Sequence, residues 1–131
     1  MAHRFHEENP YWQWMGFQAD EVAASKGMAR VRVAIRPEFY QHQGFVHGGV
    51  LSALIDSAGA WAFILTHGEG LRTINLAVQY LSPVGPGAGE LVADGKLVRV
   101  GRRIVIVAVD VIATDETPVA TGQVIYSRAR K

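Results

Sequence analysis

One carboxylate stands almost alone in the middle of this chain. From Gln41 to Leu65 the sequence reads QHQGFVHGGVLSALIDSAGAWAFIL, and Asp56 is its single charged residue. A carboxylate in apolar surroundings is costly to bury without a partner. No Lys or Arg lies within a helical turn of it. A structural carboxylate, capped or salt-bridged, is the plain reading; a carboxylate at a ligand cleft or partner surface suits its small neighbours Ser52, Ala53, Ser57 and Ala60 better. Nine residues earlier comes His47-Gly48-Gly49. Two glycines at a helix start let the backbone turn sharply and let a ligand approach it closely. The first N–H groups of a helix have no internal acceptor and carry partial positive charge, which favours an anion or a developing oxyanion. A loop-to-helix hinge would use the same pair of glycines. A base or nucleophile and an oxyanion donor are two working parts of acyl transfer.

The element that positions both is a helix. Val50 to Thr66 is long, rich in Leu and Ala, and apolar on nearly every face, so it is expected to be buried all round. HGEG at 67–70 supplies its stop. Gly48 and Asp56 are eight residues apart, roughly 12 Å along a helix axis. A donor and a base acting on one carbonyl must each lie within about 3 Å of it. The two residues of one chain cannot meet that condition. Two antiparallel helices from two chains can, with Gly48 of one opposite Asp56 of the other. If these residues form one site, the protein is at least a dimer with two sites across a twofold.

The remaining pattern is strand. MARVRVAI (28–35) alternates, setting Ala29, Val31 and Val33 against Met28, Arg30 and Arg32. After the helix come runs rich in Val and Ile at 71–81, 90–100, 102–114 and 118–129, parted by SPVGPGAG, a Gly-Arg step and DETP. Such spacing suggests antiparallel neighbours. One central helix wrapped by a curved antiparallel sheet of five or six strands is an α+β solution. One sheet cannot cover the helix on every side, so a second copy of the chain is expected to close the rest. Residues 1–131 read as a single domain, with 1–14 an N-terminal segment that is a short helix or irregular.

Composition narrows the function classes. With no cysteine, disulfides, thiolate metal sites and Cys nucleophiles are excluded. The formal net charge of +1 gives no basic field for nucleic acid. His42 and His47, with His3, His6 and His67 scattered, make no metal-ligand spacing. GPGAGE lacks the Lys-Ser/Thr ending of a phosphate loop and reads as a turn. The N-terminal residues have no apolar signal core, and the run 50–65 is short for a bilayer and carries Asp56 at its centre. The expectation is a cytoplasmic protein that does not engage a membrane.

GFVHGGVLSALIDSAGAWA, with Gln41 six residues before His47 and Asp56 nine after it, resembles the signature of hotdog-fold acyl-CoA thioesterases of the phenylacetate-degradation and 4-hydroxybenzoyl-CoA type. Tyr80-Leu81-Ser82-Pro83 is similar to a downstream strand end in that family, and its polar residue seven before the Tyr falls on Thr73. The likeness runs from about Met15 to Arg128. It implies the hotdog fold and hydrolysis of a CoA thioester with an aryl or medium-chain acyl group. Coenzyme A is then part of the substrate, with no cofactor and no metal. Asp56 would attack the thioester or activate a water. The Gly48 N–H of the other subunit would hold the oxyanion, Gln41 would position water or polarise the carbonyl, and Thr73 would bond the water or the carboxylate. His47 would shape the loop, with its ring bonded to backbone. Gly49, Ser57 and Trp61 would contact substrate, with Phe63 beside Trp61 in the acyl pocket. Arg102 and Arg103, at a predicted hairpin turn with Lys96 and Arg99, would meet the CoA phosphates. A homodimer, and a dimer of such dimers, is the implied assembly. Two other classes share the same frame: a hydratase or dehydratase of acyl thioesters using His47 as base, and a non-catalytic acyl-CoA binder.

Overall fold

The computed structural model describes residues 9–20, 26–68 and 70–129. The first element is α1 (Pro10–Met15), opened by Asn9, whose side chain accepts the Trp12 N–H at 3.2 Å, and closed by Gly16 in the left-handed region. The expected N-terminal segment therefore holds a short helix; its residues 1–8 lie outside the described residues. A three-residue strand, β1 (Gln18–Asp20), follows, which the sequence pattern did not predict.

The alternating run becomes β2 (Met28–Ala34), which buries Ala29, Val31 and Val33. A short 3-10 turn, Pro37–Phe39, leads toward the central helix α2 (Gly48–His67). Then come β3 (Leu71–Tyr80), β4 (Glu90–Val100), β5 (Ile104–Ala113) and β6 (Pro118–Arg128). Among the described residues these strands form one six-stranded sheet in the order β1-β2-β4-β5-β6-β3, antiparallel at every step.

The sheet curves around α2. Its inner face is built at period two: Leu91 and Ala93 on β4, Val105, Val107, Val109 and Val111 on β5, and Ala120, Val124 and Tyr126 on β6 are all buried. Each fully buried Val or Leu side chain contributes about 1.5–3 kcal/mol. Against them α2 sets Leu54, Ile55, Ala58, Trp61, Ala62 and Phe63. The approach is close. A Cβ on Gly95 would come within 2.8 Å of the Ala58 carbonyl oxygen, and one on Gly122 within 3.1 Å of the Ile55 side chain. The long apolar helix is thus the core of the fold, although its length and composition alone would also suit a membrane span.

Two expectations about α2 change. It begins at Gly48 rather than Val50, because the His47 side chain caps the first turn by accepting the Gly49 N–H at 3.0 Å. It is also not buried all round. Ser52, Ala53, Asp56, Ser57 and Ala60 remain partly exposed. These positions recur at steps of three and four and so share one side of the helix, the side turned away from the chain's own sheet. The helix ends at Gly68, whose φ of 82° favours glycine.

At one edge of the sheet, β3 presents residues that are exposed or only partly buried on both faces, Ile74 and Leu76 among them. A long edge strand with apolar side chains is a template for pairing with another chain.

Candidate active site

Asp56 sits on the open side of α2, half-way along the helix. Its Oδ1 accepts a hydrogen bond from the Thr73 hydroxyl at 2.8 Å. Among the described residues no Lys or Arg pairs with it. Thr73 reaches it through an irregularity in β3. Directly opposed residues in a sheet share a face. Thr73 faces Tyr126, while Leu76, Val78 and Tyr80 face Val124, Gly122 and Ala120, all on the inner side. Strict alternation would put residues 73 and 80, seven apart, on opposite faces. The register shift between Thr73 and Asn75 restores both to the helix side.

Beneath Asp56 the backbone is pinned. The Tyr126 hydroxyl donates to the Asp56 carbonyl oxygen at 2.6 Å. Burial, and then the nearby Asp56 carboxylate, push the Tyr126 phenol well above its ordinary pKa, so it stays a neutral donor. Gly59 makes this possible, since a Cβ there would fall 2.4 Å from the Tyr126 oxygen. The carboxylate opens on a cleft of about 320 Å³ whose walls include Tyr11, Trp12, Ala53, Ala60, Leu71 and Thr73. Ser57 lines it too, its Oγ accepting the Trp12 indole N–H at 3.0 Å.

The Gly48 end of the helix faces elsewhere. Gly48 lines a second cleft, about 300 Å³, together with Gln41, Phe45, Leu51, Tyr80 and Leu81. The Gly49 N–H is taken by His47 Nδ1. The Gly48 N–H, one position earlier, has no acceptor among the described residues. Its carbonyl is met by two hydroxyls, Ser52 Oγ at 3.0 Å and Tyr80 Oη at 3.2 Å, which lie 2.7 Å from each other. Gln41 closes a tight turn: its N–H donates to the Phe45 carbonyl at 2.8 Å, and its side chain bonds both the backbone N–H and the side chain of Gln43.

Seven of the residues singled out in the sequence therefore fall on three clefts. Asp56, Thr73 and Ser57 share one cleft; Gln41 and Gly48 share another, and among the described residues none lines both. His47 and Gly49 line a third, with Tyr11 and Trp14. His47 spends the Nδ1 lone pair on the helix cap, so its neutral ring carries the proton on Nε2. The expectation that Trp61 lines the acyl pocket is corrected. Trp61 is 1% exposed and packs edge-on against Trp12, 6.0 Å between ring centres. Five residues beyond Asp56 on a helix of 3.6 per turn, it points well away from the open side. Phe63 is likewise buried, stacked on His67 with the Arg128 guanidinium over its ring. Arg102 and Arg103 are exposed at the β4–β5 turn and line none of these clefts. Tyr126 was missed as part of the site, although the alternation of β6 places it on the inner face. Tyr11 was missed because nothing in a six-residue helix says where it docks.

A curved antiparallel sheet around one apolar helix, with an acid on that helix and a glycine-rich cap at its start, defines the hotdog thioesterase class. The thioesterase superfamily model matches residues 43–120, and the chain belongs to that family. It is similar to the Halobacterium salinarum protein named "Putative esterase VNG_1336C", 34% identical over 101 residues that cover 72% of this chain and 65% of that one. Among solved structures, a mutant form of the phenylacetic acid degradation protein PaaI from Thermus thermophilus superposes with a TM-score of 0.80 at 26% identity, covering 92% of this chain and 99% of that one. The E. coli PaaI protein shares the fold at a TM-score of 0.85 with 20% identity, over 98% of this chain and 91% of that one.

Proposed function

We propose that this protein hydrolyses acyl-CoA thioesters at a site assembled from two chains. The observation that carries the reading is Asp56 on the open side of α2, held through one oxygen by Thr73 and facing a cleft. The bond to Oδ1 fixes the carboxylate and leaves Oδ2 to act. It either attacks the thioester carbonyl, giving a mixed anhydride that water then opens, or takes a proton from the attacking water. In both routes the C–S bond breaks, the thiolate is protonated, and the products are a free acid and coenzyme A. The Gly48 N–H of the partner subunit would face the carbonyl oxygen. A donor of this kind is worth about 2.7–4 kcal/mol at the transition state. Gln41 of the same subunit is assigned to orienting the water or the carbonyl. The exposed turn bearing Arg102 and Arg103 is assigned to the CoA phosphates.

The two-chain assembly is supported by the separation of the two clefts and by the place of β3 at an edge of the sheet among the described residues. A twofold pairing of β3 with β3 would run one sheet through both chains and bring the two α2 helices together antiparallel. A hydratase using His47 as base is less favoured, because its Nδ1 lone pair is committed to Gly49.

The test is thiol release from a panel of aryl- and fatty-acyl-CoA thioesters by the native protein and by Asp56→Asn. The variant is expected to keep its fold and oligomeric state and to lose at least a hundredfold in kcat. Wild-type rates in a folded Asp56→Asn protein would remove Asp56 from the chemistry.

A further inference from the structure

Tyr11 stands on the boundary between two clefts. On one side is the Asp56 cleft; on the other is a larger one, about 690 Å³, walled by Trp14, Met15, Phe39 and Val50. Tyr11 lines both. Their floors are continuous on α2: Val50 in the larger, then Ala53, Ser57 and Ala60 in the smaller. Steps of three, four and three place these residues along one side of the helix. The two clefts are therefore successive stretches of one groove. Val50 is six residues from Asp56, roughly 9 Å along the axis.

The Tyr11 ring is steadied by its neighbours, 6.0 Å from Phe17 edge-on and 6.4 Å from Trp14. It is nonetheless 46% exposed, and Trp14 70%. The two exposed rings lie side by side and give the groove an aromatic wall that a ligand can cover. The outer stretch is mainly apolar, with Arg36 stacked on Phe39 at 4.7 Å in its wall.

We propose that Tyr11 is the specificity-determining divider of the acyl site. Resting on the reading of the Asp56 cleft as the place of the thioester, the native protein takes a compact acyl group, a single ring or a short chain. The phenol ring stops a longer chain from passing into the outer stretch. Removing the ring joins the two stretches and admits a long aliphatic tail against Trp14, Met15, Phe39 and Val50.

The experiment measures kcat/KM for butanoyl-, benzoyl- and decanoyl-CoA with the native protein, Tyr11→Ala and Tyr11→Phe. The decanoyl-to-butanoyl ratio should rise at least tenfold in Tyr11→Ala, mainly through KM, and stay within twofold in Tyr11→Phe, which keeps the ring. Tyr11→Ser replaces the alanine variant if that one is unstable. Decanoate binding, followed by tryptophan fluorescence, gives a readout independent of turnover. It should tighten at least tenfold in Tyr11→Ala, with a signal that Trp14→Phe in the same background abolishes. An absence of all thioester hydrolysis would refute the proposed function, and the decanoate measurement would still decide the role of Tyr11. A folded Tyr11→Ala protein with an unchanged chain-length ratio, or with unchanged decanoate affinity where nothing is hydrolysed, overturns the proposal.

Discussion

Two inactive variants of this protein, mixed, should recover activity that neither has alone. The first is Asp56→Asn. The second is Gly48→Pro, chosen because it removes one hydrogen-bond donor and little else. Gly48 is the first residue of α2, following the cap at His47. Proline is favoured at that position, where the missing N–H has no helical acceptor. The residue before a proline must be extended, and His47 already is, with φ −61° and ψ 136°. The main strain is with the Tyr80 ring, 3.2 Å from where a Cβ would sit. Loss of the donor should lower kcat by about 10²–10³. In one chain Gly48 and Asp56 are roughly 12 Å apart along the helix and open on different clefts. If each site takes Asp56 from one chain and Gly48 from the other, a mixed dimer holds one doubly altered site and one intact site. Random pairing in an equal mixture leaves about a quarter of all sites intact. Thiol release should then climb from about 1% or less for either parent to about 25% of the native rate. Subunit exchange is verified by native mass spectrometry of the mixed species. Mixed dimers that are present and no more active than their parents would show that the two residues do not share a site across chains, and the assembly argument would fail.

Two further outcomes follow from packing. Gly95→Ala should destabilise the fold by about 1–3 kcal/mol in a urea titration, because the added methyl meets the Ala58 carbonyl oxygen at 2.8 Å. A small gain in stability, as at an unstrained glycine, would mean that α2 does not lie that close to β4. Tyr126→Phe should cost about 0.5–1.5 kcal/mol by removing the hydroxyl that adds to the helical hydrogen bond on the Asp56 carbonyl. It should also change the alkaline limb of stability. The Tyr126 pKa is raised in the fold, so the native state keeps a proton that the unfolded chain releases above pH about 10. This contribution is complete below that pH and is lost as pH rises, at up to about 1.4 kcal/mol per unit. Identical slopes above pH 10 in the native protein and Tyr126→Phe would show that the phenol is not held neutral by the fold.

The sequence by itself determined the central helix, the five longer strands and the isolation of the acid. The length and apolarity of 50–66, with its Leu and Ala content, marked a helix rather than a strand. The alternation of 28–35 set Ala29, Val31 and Val33 on one face, because side-chain direction along a strand is a local property of the backbone; the Val- and Ile-rich runs after the helix marked strands without assigning an inner face. That Asp56 has no nearby cation, and stands too far from Gly48 for both to act on one atom within a chain, was legible from spacing alone. Tertiary structure decided which side of α2 stays open, since a helix apolar on almost every face carries no internal mark of its exposed side. It also decided the partner of Asp56. Thr73 faces the helix only because β3 shifts register before Asn75, and a bulge depends on pairing with β6 rather than on the residues of β3. The burial of Trp61 and the placing of Tyr11 beside the acid were set the same way, by how α1 docks on α2 through Trp12 and Ser57, a contact across 45 residues that no local pattern encodes.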